Sequence, residues 1–260
     1  MNAENIFKPT RLGRLLLNDL FVNGRGLLIA IGATLGTLLV VNVSSVASYE
    51  AWRFHSIFFP LTLLIGGHMV TSLAFRELHI GGRGYMYLTL PASMLEKYAT
   101  KLLLTTVGWT VAALLGYWLF SVIAAGLTNI LFGMSHRIFD PFDKTVWWFV
   151  RLYLATQGVT YFGAVYFRKL HLLKTALTMT AFGIAVSVLA GVMARLVFFD
   201  YFRGTGAAFF ELNLGEHFGN SDTLVRFYEG VLKVAEFGFW WVLTPFFWVL
   251  GYLRLRDTEI

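Results

Sequence analysis

The densest group of chemically capable side chains lies between residues 76 and 101, in the run RELHIGGRGYMYLTLPASMLEKYATK. Ser93 stands three residues before Glu96, a spacing typical of a capping box, in which each side chain satisfies the other residue's backbone N–H. We therefore predict a helix that starts at Ser93 and continues through Lys97 and Lys101. Such a short helix is a candidate docking site for a protein partner, and an ordinary structured loop is the alternative.

The ionisable side chains inside the apolar stretches include His68, Arg151 and Arg195. Ionisable residues in such stretches are candidate functional sites. Arg151 and Arg195 are candidates to bind an anionic substrate or a lipid headgroup; alternatively, their long side chains only reach the polar boundary. His68 follows Gly66 and Gly67 and is a candidate to line a pathway, and a hydrogen-bonded packing histidine is the alternative.

The familiar catalytic and metal-binding patterns are missing from the sequence. The six histidines form no H-E-x-x-H motif and no other pair four residues apart, and the chain has no cysteine. It contains no G-x-S-x-G nucleophile motif, and no Gly-Lys pair from which a nucleotide-binding P-loop could be built. We therefore expect no catalytic residue, no metal site and no cofactor held by this chain.

Composition indicates the surroundings in which these residues lie. Of the 260 residues, 57% are hydrophobic and only 14% are charged, and the mean hydropathy is +0.65. Soluble domains carry about a quarter of their residues as charges, so the surface of this chain is expected to face lipid. We also expect no cleavable signal peptide, because the first apolar run is longer than the apolar core of one.

Six apolar stretches are long enough to cross a hydrocarbon core of ~30 Å. The predicted spans are residues 27–49, 54–75, 102–126, 145–167, 175–199 and 234–253. The third stretch runs uncharged to His136, too long for one perpendicular crossing, so we expect its span to end near Gly126 with an interfacial helix after it. The chain is thus predicted to be an all-α polytopic membrane protein, with residues 1–260 as one transmembrane domain.

Two further segments are predicted to be helical without crossing the bilayer. Residues 7–24 place leucines on one helical face, which indicates a helix lying in the membrane interface. A short helix that covers the start of the first span is the alternative for that segment. Between the fifth and sixth spans, residues 200–233 combine an apolar stretch that is expected to dip into the membrane with a polar amphipathic helix.

The lysines and arginines of the connections indicate the orientation of the chain. Thirteen of the 21 lie on one side, and the remaining eight lie on the other side or at its span ends. Because basic residues accumulate on the cytoplasmic side, both termini are predicted to be cytoplasmic. Basic residues arranged in this way need no nucleic-acid partner.

The layout and the segment YLTLPASMLEK resemble the ABC-2 type transporter permeases, the transmembrane subunits of type V ABC exporters. The layout covers nearly the whole chain, and the motif covers about residues 85–97. The resemblance implies that the loop at 76–101 contains a cytoplasmic coupling helix and that residues 7–24 form the elbow helix. It also implies that residues 200–233 hold the re-entrant or extracytoplasmic helices of the family.

The resemblance further implies a non-catalytic permease subunit of the bacterial cytoplasmic (inner) membrane. A separate ATPase subunit would bind ATP and magnesium, and a second copy of the chain or a similar permease would complete the pathway. The substrate is unidentified, and the two arginines within the spans favour an anionic or amphipathic one, including a lipid. The residues expected to carry ATPase docking and the helix cap are Arg76, Glu77, Arg83, Ser93, Glu96 and Lys97.

Two other functional classes are alternatives. A noncatalytic membrane scaffold would use the outer segment at 200–233 to contact a periplasmic partner. A membrane-embedded enzyme acting on lipids ranks last, because the sequence offers it no acid–base or metal constellation.

Overall fold

The structure of the chain is a computed structural model. It describes residues 8–45, 51–76, 92–133, 137–167, 173–178, 180–181, 183–184, 188, 233 and 236–257. Within these ranges the chain is helical apart from short connections, and no strand is present. The prediction of an all-α fold is confirmed for this part of the chain. Most of the predicted fifth span and nearly all of the outer segment at 200–233 lie outside the described residues.

Helix α1 (Pro9–Ser45) is one continuous helix of 37 residues. The expected division into an interfacial helix at 7–24 and a separate span at 27–49 is wrong, because the helix does not break between them. A glycine inside a helix costs about 1 kcal/mol relative to alanine, and without a proline the hydrogen-bond ladder can continue past Gly24. Proline at the first helical position suits the start of α1, since that N–H needs no intrahelical partner.

Helix α2 (Ala51–Leu73) matches the predicted second span closely. Helix α3 (Met94–Leu103) begins directly after Ser93, which confirms the predicted start and its capping box. It continues through a π-helical turn (Leu104–Gly108) into helix α4 (Trp109–Phe132).

Helix α4 continues past Gly126 to Phe132. The expected end of the third span near Gly126, with an interfacial helix after it, stays a prediction. Helix α4 ends where Gly133 adopts a left-handed conformation with φ of 67°. Glycine reaches that conformation at no steric cost, so Gly133 terminates α4.

Helix α5 (Lys144–Tyr166) begins after Asp143, whose side chain accepts a hydrogen bond of 2.7 Å from the backbone N–H of Thr145. That hydrogen bond lowers the pKa of Asp143, because it favours the ionised carboxylate. Helix α6 (Leu243–Arg256) follows a second π-helical turn (Gly238–Val242). Both helices lie close to the predicted fourth and sixth spans.

Helix α5 is the central helix of the described bundle, and it packs against α2 and α6. Tyr153, Gln157 and Tyr161 on α5 are fully buried. Two core clusters surround this helix. The first contains Phe59 and Tyr117, and we call its side of the molecule the His55 end; the second contains Tyr98, and its side is the Tyr98 end.

The outer faces of α2 and α4 carry uncovered apolar stripes. On α2 every fourth residue is an exposed apolar side chain, and each is 45–55% exposed: Ile57, Leu61, Ile65, Met69 and Leu73. The same spacing occurs on the helix that continues into α4, with exposures of 47–61%: Val107, Val111, Leu115, Leu119 and Ile123. Residues four apart lie on one helical face, so each stripe is continuous.

Two helices among the described residues are long and apolar enough to cross a membrane, over Phe54–Leu73 and Met94–Phe132. Only 33% of the most apolar window of each helix is buried. The core helix of a soluble protein would be covered over most of its surface. The six predicted spans stay a prediction.

Two adjacent glycines allow α2 to approach its neighbours closely. A Cβ atom on Gly66 would lie 2.5 Å from the Trp109 ring, and one on Gly67 would lie 2.7 Å from Cζ of Tyr153. Neither ring is free to move away. The Trp109 indole N–H donates to the carbonyl oxygen of Leu63 at 3.0 Å, and the Tyr153 hydroxyl donates to the carbonyl oxygen of Thr105.

Replacement of Gly67 by alanine is expected to lower the free energy of unfolding by about 1–3 kcal/mol, the usual cost of overpacking a core. The matched control is Gly116→Ala, because a Cβ at Gly116 meets no atom within 4 Å. Thermal unfolding of detergent-purified protein, followed by fluorescence-detected gel filtration, compares the two variants. Equal melting temperatures for Gly67→Ala and Gly116→Ala would contradict the packing described here.

Candidate functional site

A pair of contacts that we call the α1–α3 clip joins the start of α1 to α3; its residues are Lys8, Asp19, Ser93, Glu96 and Lys101. Its first part is the capping box at the start of α3. The N–H of Glu96 donates to the Ser93 hydroxyl at 3.2 Å, and the N–H of Ser93 donates to Oε2 of Glu96 at 2.9 Å. The other carboxylate oxygen, Oε1, accepts a hydrogen bond of 2.7 Å from the backbone N–H of Lys8.

The single carboxylate of Glu96 therefore accepts hydrogen bonds at the starts of two helices, α1 and α3. It lies in the first turn of α3 and beside the first turn of α1, where unpaired N–H groups give each helix a partial positive charge. The side chain is fully buried. A buried carboxylate is costly unless hydrogen bonds satisfy it, and the backbone N–H groups of Lys8 and Ser93 supply that compensation.

The second part of the clip is an ion pair between α3 and α1. Nζ of Lys101 lies 3.0 Å from Oδ1 and 2.8 Å from Oδ2 of Asp19. The two side chains are only 8% and 15% exposed. Lys8 and Asp19 are separated by about 16 Å along α1, at 1.5 Å per residue. Because the two contacts are far apart on α1, the clip prevents α3 from pivoting about a single point.

Tyr98 fixes α3 to the rest of the bundle. Its hydroxyl donates to the backbone carbonyl oxygen of Trp248 on α6, and its own carbonyl oxygen accepts from the Tyr161 hydroxyl of α5 at 2.8 Å. Its ring also contacts Phe75 and Tyr252, with centroids 6.1 and 5.6 Å away. A displacement of α3 must therefore move these neighbours or break these contacts.

A polar network connects the π-helical turn after α3 to the centre of the bundle. The π-helical ladder offers the carbonyl oxygen of Thr105 to the Tyr153 hydroxyl. The amide of Gln157 donates to the Thr105 hydroxyl at 3.0 Å and accepts from the Trp248 indole N–H at 3.1 Å. This network was not predicted, although Gln157 inside an apolar span was a signal that could have indicated it.

His68 lies between α2 and α5 with both ring nitrogens in contact with hydroxyl groups. Nδ1 is 2.9 Å from the Thr160 hydroxyl, and Nε2 is 3.2 Å from the Thr156 hydroxyl. Its ring meets the Tyr153 ring edge to face at 5.7 Å. Of the two interpretations of the sequence, the geometry favours the hydrogen-bonded packing histidine over a residue that lines a pathway.

Arg151 is exposed near the His55 end of α5. Its guanidinium group lies 4.8 Å from the centre of the Trp240 ring, a cation–π contact. Arg195 lies outside the described residues. The structure therefore gives Arg151 an aromatic partner.

The predicted docking residues fall into three groups. Arg76, at the end of α2, is exposed; Glu96 and Lys97 are buried, with Lys97 only 3% exposed. Ser93 is half-buried in the cap, and Glu77 and Arg83 lie outside the described residues. In this arrangement Glu96 and Lys97 reach a partner only if α3 separates from its neighbours, whereas Arg76 is accessible directly.

Within the described ranges, no three or more His, Asp or Glu side chains lie close enough together to hold a metal ion.

Comparison of the chain with family models, with curated proteins and with solved structures finds no match. A function for this chain is therefore argued from its residues and their geometry.

Replacement of Glu96 by alanine is expected to speed hydrogen–deuterium exchange about tenfold at both helix starts, residues 8–12 and 94–98. The change removes the acceptor of the Lys8 and Ser93 N–H groups, and a lost cap costs about 1 kcal/mol or more. Ser93→Ala is the matched control, because it removes the cap of α3 and leaves the Lys8 contact in place. The two-helix role of Glu96 is wrong if Glu96→Ala leaves exchange at residues 8–12 unchanged.

Proposed function

We propose that this chain is the transmembrane permease subunit of an ABC exporter in a bacterial inner membrane. The observation that carries the proposal is the attachment of α3, a ten-residue helix at the Tyr98 end of the bundle. The clip holds it to α1, Tyr98 holds it to α5 and α6, and it continues directly into α4. A partner that pushes on α3 would act on all of these helices together.

Insertion into a membrane is supported by the apolar stripes of α2 and α4. In water, exposed apolar surfaces of this extent are interaction or aggregation sites, whereas in a bilayer they face lipid. The full proposal has six spans, with the Tyr98 end in the cytoplasm. Exposed basic residues at that end support this orientation: Arg14, Arg76, Lys174, Arg254 and Arg256.

In the proposed mechanism the energy comes from a separate ATPase subunit that binds ATP and magnesium. Closure of two ATPase subunits would displace α3 in each of two permease copies. The clip would transmit this displacement to α1, and the π-helical turn would transmit it to α4. Glu96 then acts as a positioning residue inside the permease, because its carboxylate is buried against Lys8 and Ser93. Direct docking is assigned to Arg76 and the residues that follow it.

The proposed cargo is an amphipathic or lipidic molecule. Arg151, exposed beside Trp240, provides a cation at the end of the bundle opposite α3. An anionic group on such a molecule would be attracted to it. The proposed direction, export, rests on the resemblance of the segment YLTLPASMLEK to exporter permeases.

Reversal of the charge at Arg76 is expected to reduce the amount of co-purifying ATP-binding chain at least about tenfold, since like charges placed opposite each other cost several kcal/mol. The protein is purified from its native membranes in mild detergent, and bound chains are photolabelled with 8-azido-ATP. Lys144→Glu is the matched control, because Lys144 is exposed at the His55 end. The proposal fails if wild-type protein retains no labelled chain, or if Arg76→Glu and Lys144→Glu retain equal amounts.

A further inference from the structure

Two adjacent aromatic residues end α5 at the Tyr98 end, and each carries a cation from a different segment. The rings of Tyr166 and Phe167 meet edge to face, with centroids 5.2 Å apart. The guanidinium group of Arg254, on α6, lies 5.4 Å from the centre of the Tyr166 ring. The ammonium group of Lys174 lies 5.9 Å from the centre of the Phe167 ring. We call these four residues the aromatic platform.

Close helix contacts place both cations at this platform. A Cβ atom on Gly163 would lie 2.9 Å from Cβ of Thr175, so the segment that carries Lys174 can sit directly against α5. On the other side, a Cβ atom on Gly158 would lie 2.9 Å from the carbonyl oxygen of Thr244. That contact brings α6 against α5. The placement of the two cations at neighbouring rings therefore follows from backbone packing on both sides of α5.

The two cations are accessible, and neither has an acidic partner among the residues that the structure describes. Lys174 and Arg254 are exposed, and Tyr166 is 51% exposed. Among the described residues, the ion pair at the Tyr98 end is formed by Lys101 and Asp19. Neither Lys174 nor Arg254 forms an ion pair with a described residue. Cation–π contacts at exposed positions are weak, so pairing of either cation with an anion would be favourable.

Exposed leucines flank the cations. Leu173 is 54% exposed, Leu177, one turn further along the same segment, is 60% exposed, and Leu253 beside Arg254 is 37% exposed. The surface therefore combines two cations with uncovered apolar side chains. A phospholipid has the complementary pattern, a phosphate attached to acyl chains.

We infer that the aromatic platform binds the headgroup phosphate of an anionic phospholipid from the leaflet at the Tyr98 end. Basic pockets between helices at the cytoplasmic face bind such headgroups in other membrane proteins. The inference depends on the proposed membrane insertion and orientation of the chain, and it does not depend on the proposed ATPase partner. Arginine donates to phosphate through two parallel N–H groups and lysine supplies a point charge, so each cation can pair with phosphate oxygens of a headgroup.

Native mass spectrometry of the full-length protein in detergent tests the inference, because the readout needs no ATPase. The protein is titrated with phosphatidylglycerol, with phosphatidylcholine and with inorganic phosphate as a competitor. The variants are Lys174→Gln, Arg254→Gln and the double variant. Arg256→Gln is the matched control, since Arg256 is exposed in the same last turn of α6. A second double variant, Lys174→Arg with Arg254→Lys, keeps both charges. It therefore distinguishes loss of charge from misfolding caused by substitution at these positions.

The expected result is tight retention of phosphatidylglycerol by the wild type, weakened about tenfold by each single glutamine substitution, the size expected for the loss of one hydrogen bond to a charged group. The charge-conserving pair and Arg256→Gln should stay within about twofold of the wild type. Equal retention by the wild type and the double variant would overturn the inference, as would retention of phosphatidylcholine as strong as that of phosphatidylglycerol. Displacement of the lipid by millimolar inorganic phosphate would assign the platform to a free anion instead and overturn the lipid site.

Discussion

The uncovered apolar faces of α2 and α4 are the constraint on which the rest of the structure depends. At about 25 cal/mol per Å² of apolar surface, these faces require apolar surroundings, and a bilayer is the proposed one. In hydrocarbon every polar group must find its partner inside the protein. The buried threonines follow this rule, since the hydroxyls of Thr105, Thr110 and Thr128 each donate to the carbonyl oxygen four residues earlier. The Gln157 network and the two hydroxyls around His68 satisfy side chains in the same way.

The same constraint explains why α3 is held so firmly. A short helix that continues into an uncovered apolar helix needs polar contacts at its own start, and the clip supplies them with Glu96 and Lys101. Removing one partner of a buried ion pair is strongly destabilising, so α1 and α3 are expected to move as one unit. In the proposed permease the conformational change begins with a displacement of α1 and α3. The π-helical turn at Thr105 connects α3 to α4. The lipid inferred at the aromatic platform would lie beside the same end of the bundle.

The sequence predicted those features that depend on neighbouring residues or on hydropathy. The capping box at Ser93 and Glu96 is local, and the bounds of α2 and α5 follow from apolar runs with clear ends. The break expected after Gly24 is absent from α1, because glycine alone does not stop a helix whose hydrogen-bond ladder can continue. The contacts of Glu96 with Lys8 and of Lys101 with Asp19 join residues 88 and 82 positions apart. No local pattern indicates such pairs, since they arise only when the helices pack.

Labelling of single cysteines tests the central claim, a chain that spans the membrane with the Tyr98 end in the cytoplasm. The sequence contains no cysteine, so one introduced thiol reports one position. Phe142, at the His55 end, is 82% exposed, and Arg256, at the Tyr98 end, is also exposed. With a membrane-impermeant maleimide, Phe142→Cys should be labelled in intact cells and Arg256→Cys only after permeabilisation. Labelling of both residues in intact cells, of both only after permeabilisation, or in the reverse pattern would contradict the account.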